Sequence, residues 1–167
     1  MPELSIEIVY HDEHLIEIMT TATNGRYSGV TSVYIGEDGQ ELIDFGNQLK
    51  GFPKSIIQIE EKEFGYTKKY KAEFHEMKKT HPQMKPSSAY LGLKFYCINQ
   101  IGHPVVHVTI EEDNWSERLE AVGKASFEIR LEPAQIDNFV NEIIELGKKK
   151  SGKATLIGIH EGKDNFV

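Results

Sequence analysis

Two stretches of this chain carry one pattern. GVTSVYIGEDGQELIDF, residues 29–45, and GKASFEIRLEPAQIDNF, residues 123–139, lie 94 positions apart. They share Gly29/Gly123, Ser32/Ser126, Ile35/Ile129 and Phe45/Phe139, with Asn47/Asn141 just beyond. In both, apolar residues alternate with polar ones and then recur every three or four positions, so a strand with one buried face runs into a helix with one buried stripe. Such a chain must build a sheet and lay helices on it. True duplication and a chance alignment of two strand-then-helix segments remain equally open readings of the match, and the element order is the same under both.

Alternation elsewhere completes each unit. Residues 4–10 (LSIEIVY) and 14–20 (HLIEIMT) read as a hairpin, Asn24-Gly25 as a turn, and 27–35 as a third strand. Leu42, Phe45, Leu49 and Phe52 form the stripe of a short helix that Pro53 stops, and 55–60 (SIIQIE) returns as a strand. In the second half, strands at 89–98, 103–112 and 121–131 precede a helix opened by Pro133, with Ile136, Phe139, Val140, Ile143 and Ile144 inward and 148–150 (KKK) at its basic end. Residues 153–159 close the chain's last strand. The expectation is an α+β fold: an antiparallel sheet of about eight strands with two helices, in one domain over 1–167. It divides into two β-β-β-α-β halves, 4–60 and 89–160, around a Lys-rich excursion at 61–88.

In that excursion Lys and aromatic residues are interleaved, with a strand extension or a hairpin at Gly65 and a loop at its end. Such a composition can hold single-stranded nucleic acid, but acids Glu73 and Glu76 favour a solvated excursion anchored by a few aromatics. The net charge of −7 argues against sequence-independent nucleic-acid binding and for a basic protein partner or a small ligand. Residues 1–53 are the acidic part, with nine acids against Arg26 and Lys50. No apolar run approaches the roughly 20 residues that span a bilayer. The N-terminal segment has acids where a secretory signal has Lys or Arg, and the chain has one cysteine, so a cytoplasmic location is expected.

Chemistry-bearing motifs are sparse. His103 and His107 share a strand face but sit about 13 Å apart, too far for one metal. His11 and His14 flank a turn without a third ligand at suitable spacing. Cys97 lies in an apolar strand where a buried, inert thiol is expected. No nucleophile elbow or phosphate-binding glycine loop is present in the sequence. The segment 110–121 (IEEDNWSERLEA) stands out, because three consecutive acids precede the single tryptophan. Glu111, Glu112, Asp113, Trp115 and Glu117 are the expected partner-binding residues, with Trp115 as either an interface anchor or a lid on the core.

The succession GRYSGVTSVYI, ELIDFGNQLKGFP, AYLGLKFYC, IGHPVVHVTIE and SFEIRLEPAQIDNFVNEIIEL resembles the WapI-type immunity proteins, small cytoplasmic bacterial proteins encoded beside polymorphic or contact-delivered toxins. The resemblance spans about residues 14–146 and leaves out the Lys-rich excursion. It implies a non-enzymatic protein, without metal or cofactor, that binds a cognate toxin domain and blocks its active site. A basic nuclease would suit an acidic inhibitor. No catalytic or binding residue carries over; His103 matches a Gly-His feature whose physical role is ring packing or a hydrogen bond at a strand start. Two rival readings are a ligand-binding module with a concave sheet pocket lined by Tyr34, Phe95 and Tyr96, and an enzyme assembled from scattered acids and histidines.

Overall fold

The computed structural model describes residues 1–83, 87–113 and 123–160. It is an α+β fold of eight strands and three helices. The order is β1 (Glu3–His11), β2 (Leu15–Thr23), β3 (Ser28–Gly36), α1 (Gln40–Leu49), β4 (Glu60–Gly65), α2 (Lys68–Thr80), β5 (Tyr90–Cys97), β6 (Pro104–Glu111), β7 (Lys124–Arg130), α3 (Pro133–Lys149) and β8 (Gly152–Ile157). The strands form two antiparallel sheets of four, ordered β3-β2-β1-β8 and β4-β5-β6-β7.

Element order repeats as expected, but pairing does not respect the halves. The meander β1-β2-β3 takes its fourth strand, β8, from the end of the chain, and β5-β6-β7 takes β4 from the first half. Each sheet is therefore completed by the strand that follows the other half's helix. The third strand of each sheet then crosses the other sheet at its end. Along β3, Val33 lies at Gly65 of β4, the Thr31 hydroxyl donates to the Glu111 carbonyl (2.8 Å), and Gly29 lies against Ala125 and Ile110. A Cβ on Gly29 would stand 3.2 Å from that of Ala125, so the crossing needs a small residue there. Correspondingly, β7 crosses the other sheet beside Pro2, Asn24 and Gly158.

The helices α1 and α3 pack on each other and touch strands of both sheets. Phe45 is the hub: its ring meets Phe64 at 5.6 Å and Phe95 and Phe139 at 6.2 Å each, and Phe52 meets Phe95 at 6.0 Å. Tilted and edge-on ring pairs of this kind add roughly 0.5–1.5 kcal/mol each beyond area burial. The inward residues of both sheets and both helices form one continuous core, from Leu4, Ile6 and Ile18 through Leu91 and Val108 to Ile136 and Ile143.

Three sequence expectations are corrected. Residues 55–59 are turn and irregular structure, and the strand begins at Glu60. Ile56, Ile57 and Ile59 are exposed, so their spacing in the sequence did not mark a buried face. A third helix, α2, occupies the Lys-rich excursion. Thr67 caps it by accepting from the Tyr70 amide (3.1 Å), and Lys68 N–H donates to Glu63 (3.0 Å). Its aromatics are turned on one another: Tyr66 meets Tyr70 at 5.6 Å, Tyr70 stacks on Phe74 at 6.4 Å, and Phe74 is buried. Finally, Cys97 is only half-buried. Among the described residues no helix is long and apolar enough to cross a membrane.

Two outcomes test this packing. Ala normally stabilises a helix relative to Gly by about 1 kcal/mol, yet a Cβ on Gly147 would lie 2.7 Å from the Gly39 carbonyl oxygen and 2.8 Å from Ile43. Gly147→Ala is therefore expected to destabilise by about 1–3 kcal/mol, read as a lower urea midpoint at unchanged slope. Thr20 is fully buried between Ile6 and Thr31, and its hydroxyl has no partner among the described residues. Thr20→Val, which keeps the shape and removes the unpaired oxygen, should raise stability by about 1 kcal/mol in the same experiment.

Candidate functional site

Of the five acidic-loop residues, three are described, and each has work within the fold. Glu111 closes β6 and sits 3.7 Å from Lys124 across the strand pair. Glu112 accepts from the Gly123 amide at 2.5 Å. Asp113 holds the segment entering β5: it accepts from Ser88 N–H (2.9 Å) and from the hydroxyls of Ser88 (3.1 Å) and Ser87 (3.2 Å). These carboxylates bond to residues 87–88 and 123–124 as well as carry charge. Trp115 and Glu117 lie outside the described residues.

A different surface is the more exposed and the more apolar. The turn 55–59 lies beside the β5-β6 turn, and together they put five isoleucines in solvent: Ile57 (83% exposed), Ile101 (81%), Ile59, Ile56 and Ile98. Ile56 reaches toward Gly102, and Ile56, Ile57 and Ile59 line a shallow cleft with Lys94, Tyr96 and Cys97. The turn carrying Ile101 is closed by hydrogen bonds to one side chain. Asn99 Oδ1 accepts from the amides of Ile101 (3.0 Å), Gly102 (3.1 Å) and His103 (3.3 Å), while its Nδ2 meets His103 Nδ1 at 2.8 Å. Gly102 has φ +88°, which a side chain would strain. His103 thus makes a hydrogen bond at the strand start, one of the two physical roles open to it, beside the turn that carries Ile101. The sequence held a signal for this patch in the II and I-x-I spacing of 55–60, but alternation pointed to a strand instead.

The outer face of the β4-β5-β6-β7 sheet is polar. His107 Nε2 meets Ser126 Oγ at 2.8 Å, Ser126 meets Thr109 at 3.4 Å, the Tyr96 hydroxyl donates to Glu128, and Lys94 pairs with Glu61 at 3.7 Å. A serine nucleophile needs its histidine oriented by a third group and donors placed for an oxyanion. Among the described residues no carboxylate bonds the other ring nitrogen of His107, so the pair is a cross-strand hydrogen bond on an open face. The aromatics proposed to share a pocket lie apart: Phe95 is in the core, Tyr34 is exposed on the other sheet, and Tyr96 lines the isoleucine cleft. No group of three or more His, Cys, Asp or Glu among the described residues is placed to hold a metal ion.

A larger opening, about 820 Å³ and open to solvent, runs along β7. Its walls are Pro2, the turn 24–27, residues 126–130 of β7, Ile159 and His160. Asn24 shapes the near wall, its Oδ1 accepting from the amides of Arg26 and Tyr27 (2.9 Å each).

Ionisation follows these environments. Burial, with Glu63 as hydrogen-bond partner and neighbouring charge, pushes Tyr90 up to about 12. Hydrogen bonds from Gln58 and Gln48 hold Glu60 below the usual carboxylate range. Burial raises the Cys97 thiol. The thiolate is the reactive form, so Cys97 should alkylate more slowly than a free cysteine near pH 8 and gain rate only above the ordinary thiol range, as iodoacetamide labelling across pH would show. No family model matches this chain, and neither a curated protein nor a solved structure is detectably similar to it.

Proposed function

We propose that this chain is a binding protein of the immunity type, which neutralises a cognate toxin domain by covering it and performs no chemistry itself. The observation that supports this reading best is the isoleucine surface. Soluble monomers rarely expose contiguous apolar patches beyond about 300–600 Å², and such patches mark protein contacts. Here Ile57 and Ile101 stand more than four-fifths exposed on turns held by hydrogen bonds, Ile101 by those to Asn99 and residues 54–58 by Lys54 N–H donating to Gln58 (2.7 Å). A pre-organised apolar anchor loses little entropy on binding. The net charge of −7 suits a basic partner, since opposite potentials speed encounter. A nuclease domain, basic where it binds phosphates, fits that requirement.

The test is a search of the gene neighbourhood for a toxin domain and co-expression of this chain with it, scored by growth. The wild-type chain should rescue growth. Ile57→Asp with Ile101→Asp should lose rescue and weaken binding at least tenfold, with the thermal midpoint unchanged because both side chains already face water. Absence of protection by the wild-type chain would sink the immunity reading. Protection that survives both substitutions would move the contact elsewhere.

A further inference from the structure

The groove along β7 is lined by five consecutive residues, 126–130, which happens only when a strand presents its backbone edge. Phe127 and Ile129 are 5% and 1% exposed, their side chains in the core. The register fixes which groups point outward. Leu131 N–H donates to the Pro104 carbonyl and Glu112 N–H to the Gly123 carbonyl, both at 3.0 Å. Bonded and non-bonded pairs alternate along an antiparallel ladder, so Ala125, Phe127 and Ile129 bond to β6 while Ser126, Glu128 and Arg130 turn N–H and C=O to the open side.

Two of those outward groups are already used. The Glu128 carbonyl accepts from Asn24 Nδ2 (3.3 Å), and the Arg130 carbonyl accepts from Ile159 N–H (2.8 Å). Ser126 N–H, Ser126 C=O and Glu128 N–H have no partner among the described residues. They are spaced to bond alternate residues of one added strand, a common way for a sheet edge to bind an extended peptide. The surroundings state its charge. The chain has three arginines, and Arg26 and Arg130 both line this groove with His160, against one carboxylate, Glu128, which is engaged by the Tyr96 hydroxyl. Arg26 has no ion-pair partner among the described residues. Tyr27, 64% exposed, adds an aromatic surface next to it.

We propose that the β7 edge is a binding site for an extended acidic segment of a partner polypeptide, which adds to the sheet as a strand beyond β7 with a carboxylate toward Arg26. The site is distinct from the isoleucine surface and does not depend on the immunity reading.

The probe is a fluorescent, end-capped octapeptide of alternating valine and glutamate, titrated against the whole protein by polarisation. Its controls are the valine/lysine peptide and a valine/glutamate peptide N-methylated at alternate amides. The valine/glutamate peptide should bind, with slowed hydrogen exchange at the Ser126 and Glu128 amides, and the other two should bind at least tenfold more weakly. Arg26→Glu should invert the preference between glutamate and lysine peptides. Ser126→Pro removes an outward N–H without touching the β6 ladder and should weaken binding at unchanged fold. If that variant misfolds, the N-methylated peptide still decides. Binding that tolerates N-methylation, or that leaves both amides unshifted, overturns the proposal, as does failure of the acidic peptide to bind at all. A dimeric protein whose Ser126 and Glu128 amides are already protected without peptide would overturn it too, by giving the edge to a second copy.

Discussion

Everything in this molecule hangs on the contact of α1 with α3 around the rings of Phe45 and Phe139. These two residues hold equivalent places in the two halves, and they meet at 6.2 Å in the centre of the core. The helices come close enough for backbone to face backbone. Gly39 sits at φ +69° with Gly147 beside it, and Gly46 lies under Ile143 and Ile144. Small residues there let the aromatic hub reach β4 and β5 through Phe64 and Phe95. Larger ones would pry apart the layer against which both sheets pack.

That central contact makes the exchange of strands workable. A chain leaving α1 enters the second half's sheet as β4, and a chain leaving α3 returns to the first half's sheet as β8. Neither half closes its own sheet, so stability belongs to the pair. The same arrangement leaves β3 and β7 as sheet edges, and each is laid across the end of the opposite sheet, a way of managing an open edge. The coverage differs between them. β3 is seated on Gly65, Glu111 and Ala125, whereas β7 keeps a groove beside it.

Surface chemistry follows from where turns fall. Acids at 111–113 sit at the mouth of a hairpin and serve its geometry, while isoleucines on two neighbouring turns face water. Charge alone therefore does not locate a contact surface. An acid that bonds local amides is already satisfied, whereas an isoleucine in water gains on being covered by about 25 cal/mol per Å² of apolar area removed.

Most of the element order was readable from residue spacing, because alternation and the three-to-four repeat are local and their causes are local. Leu42, Phe45 and Leu49, or Ile136, Phe139 and Ile143, announce a buried helix face without knowledge of what buries it, and all six are in the core. Failures came where a pattern had two readings. Ile56, Ile57 and Ile59 resemble a strand until the turn places them outside, and the Lys-rich stretch hides a helix whose ring contacts, Tyr66 edge-on to Tyr70 and Tyr70 stacked on Phe74, are only visible once it is wound. By itself the sequence determined an acidic α+β chain of repeated strand and helix units. Only the tertiary structure decided which strand joins which sheet, which turn exposes its isoleucines and which strand edge borders an open groove. Those outcomes depend on contacts between residues far apart in the chain, and no local spacing encodes them.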